Sequence, residues 1–207
     1  MKPVLLDLQY LPCTAYFQAI TQSGDVILER HEHFIKQTYR NRCQINTANG
    51  PATLIVPLSE KHGKTMVTDL RIDYTQKWLN NHWRAIQSAY GNAPFFEYYA
   101  EDLHRVLFKR STFLYELNYE LLTMCLGWLK LSVNLRETTR YEKQPLSPVT
   151  DLRSVIHPKK ELLESFYTPV AYVQVFGKKF APNLSIIDLV FCLGPGARPS
   201  LIGKTGD

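Results

Sequence analysis

The signatures that usually identify an enzyme on sight are missing from this chain. It has no Gly-x-Gly-x-x-Gly, no Gly-x-x-x-x-Gly-Lys-Ser/Thr, no Gly-x-Ser-x-Gly and no His-Glu-x-x-His. Dinucleotide, Walker-type NTP, α/β-hydrolase and zinc-protease chemistries therefore lack the loop or ligand pair each requires. Cysteine is sparse: Cys13, Cys43, Cys125 and Cys192 stand far apart with no Cys-x-x-Cys among them, which predicts buried reduced thiols, no bound metal and no cofactor. His31-Glu32-His33 is the nearest thing to a ligand cluster, but no third ligand stands close by. Long apolar runs are missing too, since Leu121 to Leu131 is broken by Thr123, Gly127 and Lys130, so no membrane span is expected. Met1-Lys2-Pro3 leads straight into Val4-Leu5-Leu6 without a signal-peptide layout, which predicts a cytoplasmic protein. There is no internal repeat or low-complexity tract.

The chain has 207 residues, 45% hydrophobic and 21% charged, with 24 basic against 19 acidic side chains for a net +5. That is an ordinary globular composition, long enough for a real core, and a single domain over 1–207 is expected. The modest positive charge favours anionic partners. Nucleic acid is a poor candidate, because only the charge and the aromatics support it and no recognition motif accompanies them.

The most informative stretch is Lys36 to Ile45, followed by Asn49-Gly50 and then Leu54-Ile55-Val56. Tyr39, Cys43 and Ile45 alternate with Lys36, Thr38, Arg40, Arg42 and Gln44, the pattern of a strand with two unlike faces. Asn49-Gly50 tolerates the positive φ of a chain reversal. The unbroken Leu54-Ile55-Val56 predicts a returning strand covered on both faces. Arg40 and Arg42 would then lie on one face about 6.5 Å apart. Two guanidiniums so placed repel unless an anion, carboxylate partners or water intervene, so the pair reads either as an enclosed anion site or as arginines solvated or neutralised internally.

Elsewhere, Val4–Leu8, a helix from Thr14 to Gln22 stopped by Ser23-Gly24, and Val26–Leu28 predict a parallel strand-helix-strand unit, whose first loop would place Tyr10 and Tyr16 beside a site or in the core. Lys61-His62-Gly63-Lys64 reads as a basic turn and Met66 to Ile72 as a strand. Asp73 is the expected N-cap of a helix from Tyr74 to Tyr90 with Trp78, His82, Ile86 and Ala89 on its apolar face. A histidine there is either core or a base. Further helices are expected from Pro94 to Lys109 and from Thr112, capped by Ser111, to Leu131, then a strand over Val133–Thr138. Residues 141–160 read as a long loop, disordered or a lid. Near the end, Ser185 with Asp188 reads as a capping box for a last helix stopped by Gly194-Pro195-Gly196. The fold class is α/β or α+β: a mixed sheet with an N-terminal strand-helix-strand and a central hairpin, and a mostly helical second half.

Several of these pieces occur together in an order that resembles the WbqC-like family, known mostly from bacterial polysaccharide (O-antigen) clusters. They are Tyr10-Leu11-Pro12 with Tyr16-Phe17, Lys36 with Tyr39-Arg40-Asn41-Arg42, Val56-Pro57, Trp78 with His82, Tyr90 with Pro94-Phe95-Phe96, and Asn183 to Asp188 before Gly194. Leu8-Gln9 stands where the family usually has Gln-Pro. The resemblance implies a transferase of surface-polysaccharide precursor assembly, with aminoacyl or glycine transfer onto a phosphorylated or nucleotide-linked sugar as one form. Arg40, Arg42 and Lys36 would hold phosphate, Tyr10, Asn41 and Tyr90 would orient sugar or donor, and His82 would be the base. The alternative is a binding or scaffold protein with the same anion pocket and no chemistry.

Overall fold

A computed structural model describes residues 2–59, 64–145, 148–160, 162, 167–177 and 179–202. It opens as the sequence pattern requires. β1 (Val4–Asp7), α1 (Thr14–Ser23) and β2 (Asp25–Glu29) form a parallel crossover unit, with Val4 opposite Val26 and Asp7 opposite Glu29. Gly24 closes α1 at φ 70°, donating its N–H to the Ile20 carbonyl, a left-handed stop for which glycine is best suited. The hairpin follows as β3 (Arg42–Ile45) and β4 (Ala52–Ile55), antiparallel and in a sheet of its own. The second half is mostly helical: α2 (Trp78–Tyr90), α3 (Phe96–Phe108), α4 (Leu114–Trp128), α5 (Ile186–Leu193) and α6 (Ala197–Ile202).

Two further strands complete the main sheet. β5 (Asn134–Glu137) pairs in parallel with β2, and β6 (Thr150–Asp151) with β1, giving the order β5-β2-β1-β6. β6 lies in the stretch whose composition reads as a loop or lid. Its polar side chains hide its role, because pairing runs through the backbone: Thr150 N–H donates to Pro3 O at 2.8 Å and Leu152 N–H to Leu5 O at 2.9 Å. Ile156 then buries itself almost fully.

Other differences have similarly local causes. β3 begins at Arg42 and not Lys36, because Gln37 adopts φ 62° and Tyr39–Asn41 tighten into a 3-10 turn. β4 is not covered on both faces: Leu54 and Val56 are buried while Ile55 between them is 44% exposed. Met66 to Ile72 is not a strand but a 3-10 turn, Val67–Asp69, flanked by isolated bridges. Asp73 spends its carboxylate on Thr75 and Gln76, closing a local turn of the Asx kind, and α2 starts a turn later at Trp78. At α4 the N-cap residue is Phe113 and not Ser111, and Glu116 in the first turn accepts from the Phe113 N–H. Of the basic turn expected over Lys61-His62-Gly63-Lys64, residues 61–63 lie outside the described residues. Side chains of β1, α1, β2, the hairpin, α2, α4 and α5 meet in one connected apolar cluster. No helix among the described residues is long and apolar enough to cross a membrane.

Candidate functional site

The carboxyl ends of the parallel strands β1 and β2 carry Asp7 and Glu29, both about 1% exposed. Open α/β sheets commonly leave a ligand crevice at this edge, but here it is filled from within. Arg40, 2% exposed, donates through Nε and Nη2 to the two oxygens of Glu32, each at 2.7 Å, with Asp7 Oδ2 3.4 Å from Nη1. Arg153, on the turn after β6, reaches Glu29 Oε2 at 2.7 Å and Asp151. Burial acts to lower the Arg40 pKa, but Asp7 and Glu32 outweigh it and raise it. A guanidinium whose charge two carboxylates offset is a structural ion pair, even though its Nη1 makes no hydrogen bond among the described residues.

Arg42, two residues on, has the opposite environment. It is half-buried and no carboxylate among the described residues pairs with it. Its Nε is shielded from water without a hydrogen-bond partner among the described residues. Burial shifts its pKa downward, and no described carboxylate opposes the shift. The two guanidiniums therefore do not converge. The 3-10 turn separates them, since it breaks the strand register on which same-face spacing depends.

Arg42 lines a cleft of about 430 Å³ along the hairpin, together with Lys36, Gln37, Asn41, Thr65 and Gln76. The rest of the wall is apolar, chiefly Phe34, Ile55, Pro57, Leu58 and Leu70. Its size falls within the range of small-molecule sites. No acidic side chain is among the described lining residues. The cleft rests on a well-fastened support. Tyr39 O accepts from Tyr10 N–H, Arg40 O from Asn118 Nδ2, and Asn41 O from Val56 N–H. Asn41 Nδ2 donates to Val56 O at 2.9 Å, while its Oδ1 is buried without a partner among the described residues.

Of the seven residues singled out from sequence, the structure thus brings Lys36, Asn41 and Arg42 to one cleft. Tyr10 and His82 stand behind its β4 wall. His82, 5% exposed, has Nε2 3.1 Å from the Ile55 carbonyl and Nδ1 3.1 Å from the Tyr10 hydroxyl. A carbonyl only accepts, so Nε2 carries the proton and Nδ1 accepts from Tyr10. Burial lowers the imidazole pKa to about 4, against a smaller upward pull from the Ile55 carbonyl. Tyr90 is fully buried elsewhere: its hydroxyl accepts from Asn46 N–H and donates to Asp188 Oδ2 at 2.9 Å. Asp188, also fully buried, accepts in addition from Tyr172 and Gln174. It does not form the expected capping box, because Ser185 Oγ donates instead to Leu11 O. Tyr16 is core.

Sequence reasoning missed Phe34 and Gln76 as cleft residues and Glu32 with Asp7 as the partners of Arg40. Acidic residues ending apolar strands, as in Val4-Leu5-Leu6-Asp7 and Val26-Ile27-Leu28-Glu29, are the signal that a buried cation awaits them. Among the described residues no group of three or more His, Cys, Asp or Glu side chains could hold a metal.

Comparison with known proteins is consistent with the motif order. No solved structure matches the chain. The uncharacterized protein Rv1507c of Mycobacterium tuberculosis is 30% identical over 145 residues, 68% of this chain, which spans 62% of that protein's length. The model of the WbqC-like protein family matches residues 9–162, well over half the sequence. The chain belongs to the WbqC-like protein family.

Proposed function

We propose that the protein binds a phosphorylated or nucleotide-linked sugar in the hairpin cleft, and that it serves surface-polysaccharide precursor assembly as an acyl or aminoacyl transferase. One observation carries the ligand class: Arg42 is a partly desolvated guanidinium with no carboxylate partner among the described residues, in a cleft whose described lining adds Lys36 and no carboxylate. Such a site is completed by an external anion, and a guanidinium fork matches phosphate. The transferase role rests on the family setting.

A reading without chemistry is favoured by a second observation. Both nitrogens of His82 are engaged, one by a backbone carbonyl and one by a tyrosine, so the imidazole has no free lone pair for a substrate proton. On the transferase reading, Tyr10 must first move from Nδ1.

A thermal-shift screen of sugar phosphates and nucleotide sugars tests the ligand class. A ligand at a hundred times its Kd adds roughly 2.7 kcal/mol, or a rise of roughly 5–10 °C for a chain of this size. No shift with any phosphate-bearing compound contradicts the proposal. Product formation from a bound nucleotide sugar, lost in a folded His82→Gln variant, separates transfer from mere binding.

A further inference from the structure

The cleft is built for more than a phosphate. Among the described residues Lys36 and Arg42 supply its charge, yet much of its wall is apolar, with Phe34 its one aromatic side chain. Ile55 is 44% exposed there, on the outward face of a hairpin where a polar residue would cost nothing. An aliphatic side chain left open in a concave wall gains stability only when an apolar or flat group covers it. A volume of about 430 Å³ far exceeds the needs of inorganic phosphate. The described lining offers nothing acidic that would bind a divalent cation, which takes oxygen ligands, usually carboxylates.

Resting on the reading of this cleft as a phosphate-bearing sugar site, we infer that it takes the nucleoside diphosphate half of a nucleotide sugar, with the base against the Phe34 and Ile55 wall and the diphosphate neutralised by Lys36 and Arg42 in place of a divalent cation. The base is placed on the apolar wall because it is flat and its two π faces carry no hydrogen-bonding group, whereas a pyranose is puckered and its hydroxyls, some of them axial, crowd its faces and would be stranded there. Two cationic side chains match the charge of a diphosphate diester better than that of a metal-bridged one, whose charge is already offset.

Calorimetric titration of the full chain with UDP, glucose 1-phosphate and inorganic phosphate, each in EDTA and in magnesium, tests this. UDP is expected to bind at least about tenfold more tightly than glucose 1-phosphate and equally well in either buffer. An Ile55→Ser variant is expected to lose about tenfold in UDP affinity while glucose 1-phosphate is unaffected. Ile55 points outward, so an unchanged unliganded melting temperature serves as the folding control. Glucose 1-phosphate binding as tightly as UDP, or Ile55→Ser binding UDP like wild type, overturns the inference and leaves the wider phosphate-site reading standing. UDP binding only with magnesium overturns its metal-independent part. Failure of all three compounds in both buffers overturns the phosphate-site reading as well.

Discussion

Replacing Arg40 by methionine separates the two arginines most sharply. The side chain is 2% exposed and makes two 2.7 Å bonds to Glu32, with Asp7 at 3.4 Å. Methionine fills much of the space but leaves those carboxylates buried without a cation. Stranding one partner of a buried ion pair costs roughly 3–5 kcal/mol, which for a chain of this length lowers the melting temperature by roughly 6–20 °C. Circular-dichroism melts of wild type and Arg40→Met across pH 4.5 to 8 measure it. Burial already pushes the Glu32 pKa up, against the pull of Arg40, and without Arg40 that rise grows. A carboxyl with a raised folded pKa binds more protons in the folded state, so its cost is absent at low pH and appears as pH rises through the folded pKa. The variant's deficit should therefore shrink as pH falls towards 4.5. A deficit below about 0.5 kcal/mol, the ordinary surface range, or one that does not change with pH, refutes the buried-pair account. So does a large loss of ligand affinity in the folded variant, since Arg40 does not line the cleft.

Three further outcomes follow from the same geometry. Arg42→Gln should melt within about 0.5 kcal/mol of wild type yet lose roughly 10- to 150-fold in UDP affinity, the value of charge-assisted hydrogen bonds; a destabilised variant with unchanged affinity contradicts both halves. The His82 imidazole should stay neutral in an NMR titration down to about pH 4. With a depressed folded pKa, its contribution of roughly 3 kcal/mol is present above pH 6.5 and lost as pH falls to about 4, and a titration midpoint near 6.5 would show the ring to be solvated. Asp188→Asn removes one acceptor from the Tyr90, Tyr172 and Gln174 cluster and should cost about 1.5–3 kcal/mol in a denaturant melt, whereas wild-type stability would show the cluster to be slack.

Where burial and period coincide, the chain reads correctly from sequence: the Val4–Asp7 and Asp25–Glu29 strands with their helix, the Asn49-Gly50 hairpin, the α2 face that carries Trp78 and His82. β6 is invisible because two polar residues pair through their backbone on a sheet edge, and no side-chain pattern records that. Arg40 illustrates a second limit. Alternation assigns a face only while the chain stays extended, and Gln37 at φ 62° followed by the Tyr39–Asn41 turn ends that condition just before β3. The partners Glu32 and Asp7 come from 8 and 33 positions away, a tertiary fact that spacing does not encode. Arg42 lies on the true strand, where alternation does assign a face, whereas the apolar half of its cleft is assembled from separate segments around Phe34, Ile55 and Leu70.

The most direct test of the cleft is a crystal structure of the wild-type protein with UDP-glucose. The account predicts phosphate oxygens about 2.7–3.2 Å from the terminal nitrogens of Arg42, with Arg40 still bonded to Glu32. A nucleotide sugar bound away from the hairpin, or one whose phosphates displace Glu32 from Arg40, would contradict it.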